Sequence, residues 1–373
     1  MKNDKIKILM VLGNTGMGGA QAFVLNLIKN LNLSRYQVDL AVDTEKPDGI
    51  GEAVRSLGCN IYILPYFKVY NYLSYVKAWD SFFSTYHYDI VHAHSTNSAS
   101  VYLRIAKKYG CATIAHSHSA GYRGNIIQRQ VKKYFAHKVR GVADYWFACS
   151  DKAAERLFGK SYRNNRNYHD IPNAINAENY LFSNEKAQKI RKELGIKDDE
   201  LLCGHIGTFS TPKNHSFLLD IFCEVVKKEP QARLVCCGQG ILMPSVKEKA
   251  VQLGIIDRIL FPGVVMNANE YMMAMDVFVF PSIFEGFPIS IIEAEATGLP
   301  IVMSDVITKE VDMSDLIHRQ SLNDNPAKWA ETVVGLKTEN RATYNNPIVE
   351  SKYNMRTSIK HISSLYEEMV KNK

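Results

Sequence analysis

Short apolar runs and longer stretches of helical period take turns along the whole chain. The first run, Ile6-Lys7-Ile8-Leu9-Met10-Val11-Leu12, reads as a buried strand, and the apolar positions from Phe23 to Leu31 recur at helical spacing. Further β-runs fall at Val38 to Val42, Ile61 to Leu64, Ile90 to His94, Ala112 to Ala115 and Trp146 to Cys149. A second series occupies Leu201 to Gly207, Arg233 to Gly238, Ile259 to Gly263, Val277 to Phe280 and Ile301 to Met303. Strands alternating with helix-length segments predict parallel, doubly wound sheets, and 373 residues exceed the usual size of one domain. The expected division is a first Rossmann-like α/β domain over residues 1–180, a second over 181–354, and a C-terminal helix over 355–373. The polar stretch Ser183 to Asp199 reads as the linker helix between them. Ile359, Ile362, Leu365, Tyr366 and Met369 form the apolar stripe of the last helix.

One stretch carries chemistry. Phe284-Glu285-Gly286-Phe287-Pro288-Ile289-Ser290-Ile291-Ile292-Glu293-Ala294-Glu295-Ala296-Thr297-Gly298-Leu299-Pro300 follows an apolar strand, opens a helix and ends on the glycine and proline of a helix stop. In such a strand-loop-helix unit Gly286 permits unusual dihedrals and a close ligand approach. The free amides around Ile289 and Ser290 point at whatever sits in the loop, a place that suits a diphosphate. Glu285 and Glu293 flank it; as acceptors they can hold the hydroxyls on either side of a diphosphate, on the ribose and on a sugar. Ser290 and Glu293 equally fit a Ser-x-x-Glu capping box, which needs no ligand.

In the first half the polar clusters sit at strand ends, where doubly wound sheets bind ligands. Gly13, Gly16, Gly18 and Gly19 follow the first strand with the wrong spacing for a dinucleotide fingerprint, so Asp43 at the end of the next strand decides nothing. His94 and Ser95 close one strand, His116-Ser117-His118-Ser119 another, and Ser150 a third. No carboxylate or cysteine joins these histidines at ligand spacing, and His116 and His118 are expected on opposite sides of the extended chain, so no metal site is predicted. No Asp-x-Asp occurs anywhere. Ile127, Val131, Tyr134 and Phe135 share one helical stripe with Arg129, Lys132 and Lys133 opposite, either a surface helix packed on the sheet or an interfacial anchor.

Composition changes the picture little. Apolar residues make up 46% and charged residues 22%, as in ordinary globular proteins. No apolar run approaches a bilayer span, and Met1 to Lys5 leads into a strand without a signal-peptide core, which points to a cytoplasmic site of action. The seven cysteines are scattered and read as reduced core thiols, with no zinc spacing. The net charge of +7 is uneven, since Arg104 to Arg166 hold 14 Lys/Arg against 3 Asp/Glu. No nucleic-acid motif accompanies that surplus, so an anionic membrane surface at the inner face of the cell or a phosphorylated acceptor fits it better.

Glu-Gly-Phe-Pro…Glu-Ala-x-Ala-x-Gly-x-Pro resembles the signature of the family 4 retaining glycosyltransferases of bacterial surface-polysaccharide type. These have the GT-B fold, two doubly wound Rossmann-like domains facing a deep interdomain cleft, with the last helix crossing back to the first domain. The resemblance implies that Glu285 holds donor-sugar hydroxyls, Glu293 the ribose, and His118 the sugar during transfer. Gly286, Phe287, Ile289 and Ser290 then line the donor site, and Gly18 and Gly19 match the family's Gly-Gly-Ala-Glu/Gln turn. Ile171-Pro172-Asn173-Ala174-Ile175-Asn176 resembles the point where the chain leaves the first domain. Gly207 to Asn214 resembles the loop whose Arg and Lys clamp the diphosphate; Lys213 is in place, whereas Thr208 stands where the arginine is expected. Gly238-Gln239-Gly240 and Pro262-Gly263-Val264 match the base-side loops. The resemblance implies no cofactor, a nucleotide diphosphate sugar (UDP-sugar favoured) as co-substrate, and a saccharide or lipid-linked saccharide acceptor. A scaffold protein that has lost activity, motivated by Thr208, and a sugar-nucleotide epimerase on the same fold are the competing readings.

Overall fold

The computed structural model describes residues 5–16, 18–46, 49–118, 126–336 and 341–372. The chain divides into two compact units, 1–174 with 355–373, and 175–354. Unit 1 holds β1 (Ile6–Asn14), β2 (Tyr36–Thr44), β3 (Ile61–Ile63), β4 (Ile90–Ala93), β5 (Ala112–Ser117), β6 (Tyr145–Ala148) and β7 (Tyr168–Asp170). They pair in the order β3-β2-β1-β4-β5-β6-β7, every pair parallel. Unit 2 holds β8 (Leu202–Ile206), β9 (Arg233–Cys237), β10 (Ile259–Gly263), β11 (Val277–Phe280), β12 (Ile301–Ser304) and β13 (Ile317–Gln320), in the order β10-β9-β8-β11-β12-β13, again parallel throughout. Both sheets bury two faces between helices, which is why their strands read as continuous apolar runs. In each, the strand order reverses next to the first strand, between β1 and β4 and between β8 and β11.

The domain boundary falls six residues before the expected one, because Ile175 and Ala177 are buried in the core of unit 2. Ile175 also donates its amide to Tyr353 O at 2.9 Å. The stretch expected as a linker is an integral helix of that unit, Asn184–Leu194, capped by the Ser183 side chain on the Lys186 amide. Its Arg191 is 6% exposed, donates to Ala274 O, Lys197 O and Glu200 O, and pairs with Asp276 at 3.1 Å. Polar spacing had hidden a buried arginine. The last helix, Met355–Lys371, buries Ile362, Leu365, Tyr366 and Met369 against Phe23, Val24 and Leu27 of the helix Gly19–Asn30, all within unit 1. Among the described residues no helix is long and apolar enough to cross a membrane.

Two contacts pin the strand ends of unit 2. Gly238 leaves β9 with φ +137°, and a β-carbon there would lie 2.1 Å from Gly207 O, so only glycine lets these loops meet. Arg341, 8% exposed, donates to the carbonyls of Met272, Met273, Met275 and Thr297 at 2.8 to 3.0 Å. These carbonyls close the helices Ala268–Ala274 and Ile289–Ala296, so one guanidinium satisfies the orphan acceptors of two C-termini. Arg341→Leu is expected to lower the stability of unit 2 by roughly 3 kcal/mol, the order of stranding several buried carbonyls, read as an earlier unfolding midpoint in urea.

Candidate functional site

In unit 2 the loops after β8 and β11 leave the sheet side by side at the reversal point, the place where open α/β sheets take ligands. The polypeptide ties them together. Asn214, left-handed at φ 55°, donates its side-chain amide to Pro281 O at 3.1 Å, and Ile283 N donates to Pro212 O at 2.8 Å. That clasp brings Lys213 Nζ to 2.8 Å from Glu285 Oε1, with both side chains less than a fifth exposed. The ammonium also lies 4.6 Å from the Phe280 ring centroid. Buried His205 and His215 nearby are held neutral. Burial is the main cause, with the neighbouring Lys213 charge adding to it, and the His215 pKa falls to about 4.

The helix Ile289–Ala296 begins at once after this loop, with Pro288 at its N-cap and no side-chain cap. Ser290 lies inside the first turn, so the capping-box alternative does not form. Glu293 instead accepts a 2.7 Å hydrogen bond from Tyr180 OH, and burial raises its pKa against the opposing pull of Tyr180 and Lys213. Among the described residues its second oxygen has no hydrogen bond. Gly286 does not use the unusual dihedrals that glycine permits, since its φ is not positive, but a β-carbon there would meet nothing within 4 Å, so the backbone is open to a ligand. Phe287 stacks on Tyr353 at 5.4 Å. Thr208 is exposed beside Gly207 and Gly238, and supplies a hydroxyl where a guanidinium was expected. Exposed Ile241 and Val264 stand on the loops matched to the base side.

In unit 1, Gly18 caps the helix Gly19–Asn30, and Gln21 closes the turn by donating to Asn14 O at 3.2 Å. Phe23 of that helix packs against the rings of His94, His116 and His118. His116 and His118 do not point apart: their ring centroids are 4.0 Å apart, because residues two apart on a strand share a face. His92, which carried no sequence signal, completes a stack of four. Its Nδ1 lies 2.7 Å from Tyr366 OH and its Nε2 3.2 Å from His116 Nδ1, while His116 Nε2 lies 3.2 Å from Ile171 O. A carbonyl only accepts, so His116 is protonated on Nε2, His92 donates from its Nε2, and Tyr366 donates to His92. His94 Nδ1 pairs with His118 Nε2 at 2.8 Å.

His92, His94 and His116 each bring a ring nitrogen within 4.8 Å of the others, and a metal there would have to displace this wire. Burial depresses all four histidines, His118 to about 3 with Arg156 adding to the shift and Asn173 opposing it. Ser150 proves to be the N-cap of the helix Asp151–Phe158. In the helix Ile126–Lys138, Phe135 packs on Phe67 at 4.9 Å while Tyr134 is 57% exposed under Lys138, so the expected stripe splits. Ser119 and the side chains of Ile127, Arg129 and Lys132 lie outside the described residues.

Sequence reasoning missed Tyr180, and placed Tyr366 only on the apolar stripe of the last helix, without its contact to His92. Each meets its partner only through folding, Tyr180 across 113 positions and Tyr366 across 274, and no local period marks such a contact.

Residues 200–338 match the family model described as Glycosyl transferases group 1, and residues 17–179 the one described as Glycosyltransferase Family 4. EpsF of Bacillus subtilis (strain 168), which bears a glycosyltransferase name, is 30% identical over 338 residues, 89% of this chain and 88% of its own. A protein of Escherichia coli named UDP-Gal:alpha-D-GlcNAc-diphosphoundecaprenol alpha-1,3-galactosyltransferase is 24% identical, covering 82% of this chain and 80% of its own. Among solved structures, HepE of Anabaena in complex with UDP superposes with a TM-score of 0.78 at 17% identity, over 98% of this chain and 100% of that one. That likeness shows the fold, GT-B.

The buried histidines give unit 1 a defined response to acid. Unfolded, each would bind a proton near pH 6.5; folded, each stays neutral to well below that. The unfolded chain therefore takes up more protons from about pH 6.5 downward, and stability is full above that pH and lost as pH falls, by up to about 1.4 kcal/mol per group per pH unit. Calorimetry between pH 7.5 and roughly pH 5 is expected to show the unit 1 transition falling steeply, and His92→Gln should flatten the slope.

Proposed function

The chain belongs to glycosyltransferase family 4, and from that premise we propose a retaining, metal-independent transferase that moves a sugar from a nucleotide diphosphate sugar to a saccharide acceptor. UDP-sugar is the favoured donor, a lipid-linked saccharide the favoured acceptor, and bacterial surface-polysaccharide biosynthesis the setting. The observation that carries it is the pairing of Lys213 with Glu285 at the open start of the helix Ile289–Ala296, with Glu293 in the same helix held by Tyr180. The relative from Escherichia coli is named for a UDP-sugar donor and a diphosphoundecaprenol acceptor, HepE binds UDP and glucose, and a further relative is named for Vi polysaccharide biosynthesis.

In this reading the bond from the anomeric carbon to the diphosphate breaks as the acceptor hydroxyl bonds to the same face, and the hydroxyl's proton passes to the departing phosphate oxygen. Negative charge grows on the diphosphate, where Lys213 and the amides of Ile289 and Ser290 stabilise it. As Lys213 turns to the phosphate, Glu285 is released to accept hydrogen bonds from the sugar. Thr208 offers a neutral donor only, which leaves Lys213 a larger share of the charge. His118 is assigned to the sugar. A histidine held neutral adds no positive charge where the sugar ring itself becomes cationic. The cytoplasmic face of the membrane, met through the basic stretch 104–166, completes the proposal.

Glu285→Ala is expected to lower kcat by about 10²–10³ while UDP binding changes little, and Glu293→Gln to weaken UDP by roughly tenfold with the fold intact. Transfer by Glu285→Ala at near wild-type rate would overturn the site. Transfer should be indifferent to EDTA; abolition restored by a divalent ion would count against the metal-independent mechanism. A protein that shows no thermal shift with UDP, GDP or ADP would favour the scaffold reading set up by Thr208, and conversion of a free nucleotide sugar into its epimer the other.

A further inference from the structure

Tyr180 closes the one-turn helix Ala177–Tyr180, the first element after the chain enters unit 2 at Ile175. That turn is held firmly. Ala177 is wholly buried in the unit 2 core, the Asn179 amide donates to Asn176 O at 2.9 Å, and Asn179 O accepts from Asn269 Nδ2 at 2.7 Å. The Tyr180 ring packs against the same core. Burial, and after it the charge of Glu293, raises the pKa of the phenol, so its hydroxyl keeps the proton and donates.

The acceptor is Glu293 Oε1, at 2.7 Å. The other oxygen of that carboxylate bonds to no described residue, and its surroundings differ from those of the neighbouring acid. The unpartnered oxygen of Glu295, two positions on, is sealed in the interior, whereas that of Glu293 is not. A glutamate with both oxygens loose samples many rotamers; fixing one oxygen confines the other to a narrow arc. The titratable groups that face Glu293 are Tyr180 from the entry turn and Lys213 from the loop after β8. Burial raises its pKa, and the Tyr180 hydrogen bond and then the Lys213 charge oppose that rise.

We propose that Tyr180 is a positioning residue for nucleoside recognition: its hydrogen bond aims the free, ionised oxygen of Glu293 at the two neighbouring hydroxyls of the donor's ribose. This rests on the transferase reading above, in which Glu293 meets the ribose. An ionised carboxylate oxygen only accepts, and its lone pairs suffice for a vicinal diol; a protonated one carries a hydrogen of its own and loses that match. Tyr180 therefore acts twice. It sets where the oxygen points, and it keeps the acid ionised to a lower pH than burial alone would allow. A strap that merely ties the entry turn to the helix Ile289–Ala296 would contribute stability and do neither.

The test is calorimetric titration of the full chain with UDP and with 2′,3′-dideoxy-UDP, which lacks both ribose hydroxyls, from about pH 8 down to about pH 5. Wild type is expected to bind UDP about tenfold more tightly than the dideoxy compound, the scale of hydrogen bonds to a charged acceptor. Tyr180→Phe removes one oxygen and keeps the packed ring. It should bring that ratio to about two by weakening UDP alone, and an unchanged affinity for the dideoxy compound shows that the rest of the site is intact. Without the phenol the Glu293 pKa rises, so on acidification the ratio collapses at a higher pH in Tyr180→Phe than in wild type; the diphosphate is common to both ligands and its own titration cancels. In a Glu293→Gln background Tyr180→Phe should change the ratio no further. A Tyr180→Phe protein with an earlier urea midpoint but the wild-type ratio and pH profile would overturn the proposal and leave a strap. Wild type that binds the two compounds equally overturns it together with the ribose role of Glu293, while the diphosphate site stands. Wild type that binds neither removes the UDP reading itself, and the proposal falls with it.

Discussion

The contact between Lys213 and Glu285 organises unit 2 around its chemistry. Each residue sits in a loop that leaves a central strand where the strand order reverses, and each would be a poorly hydrated charge if the other were removed. Breaking one member of such a pair leaves an uncompensated charge, so neither loop can move away from the other without a replacement partner. The clasp through Asn214 and Ile283 shows the backbone imposing the same register. A single cation balanced by a single anion can be opened by a ligand that carries charge of its own. An anion bound at the helix start would replace Glu285 as the partner of Lys213 with little net loss.

Unit 1 solves a different electrostatic problem. Four imidazoles stack beneath the helices Gly19–Asn30 and Met355–Lys371, where a charge would have no counter-ion, and burial keeps all four neutral. The Ile171 carbonyl fixes the direction of one chain of hydrogen bonds, and Tyr366 ends it. The last helix thus anchors the stack on one side while His118, at the end of β5, remains at the strand edge. A neutral ring there would, in the proposed transfer, position hydroxyls without opposing a cationic transition state.

The parallel sheets were legible because strands buried on both faces read as apolar runs, and eleven of the thirteen strands among the described residues announce themselves in that way. β7 and β13 do not: Tyr168-His169-Asp170 and Ile317-His318-Arg319-Gln320 are edge strands whose polar residues carry no run. The order Glu285 to Pro300 was legible because its chemistry is local to one strand-loop-helix unit. Illegible were the contacts that folding alone creates, such as Tyr180 on Glu293, Arg341 on two helix ends and His92 on Tyr366. The linker reading of Ser183 to Asp199 failed for the same reason, since a charged side chain looks exposed until its partners are known. The misplacement of His116 and His118 was of another kind, an error in strand period that the sequence itself could have corrected.

Three glutamates within eleven residues show how far environment, not residue type, decides a role. Glu285 is paired with Lys213 and stands at the mouth of the loop. Glu293, in the second turn of the helix, is half-buried, raised in pKa and bonded by one phenol, which leaves an oxygen for a neutral hydroxyl. Glu295 is wholly buried; it accepts from Met313 N at 3.1 Å and Ser314 Oγ at 2.7 Å, and burial lifts its pKa to about 7. Its other oxygen has no partner among the described residues. It ties the helix to the segment that follows β12 and faces no open loop. Sequence alone presents three equivalent acids, and only the partners sort them: a cation for the one in the loop, a phenol for the one in the second turn of the helix, and backbone and hydroxyl for the one buried beneath it.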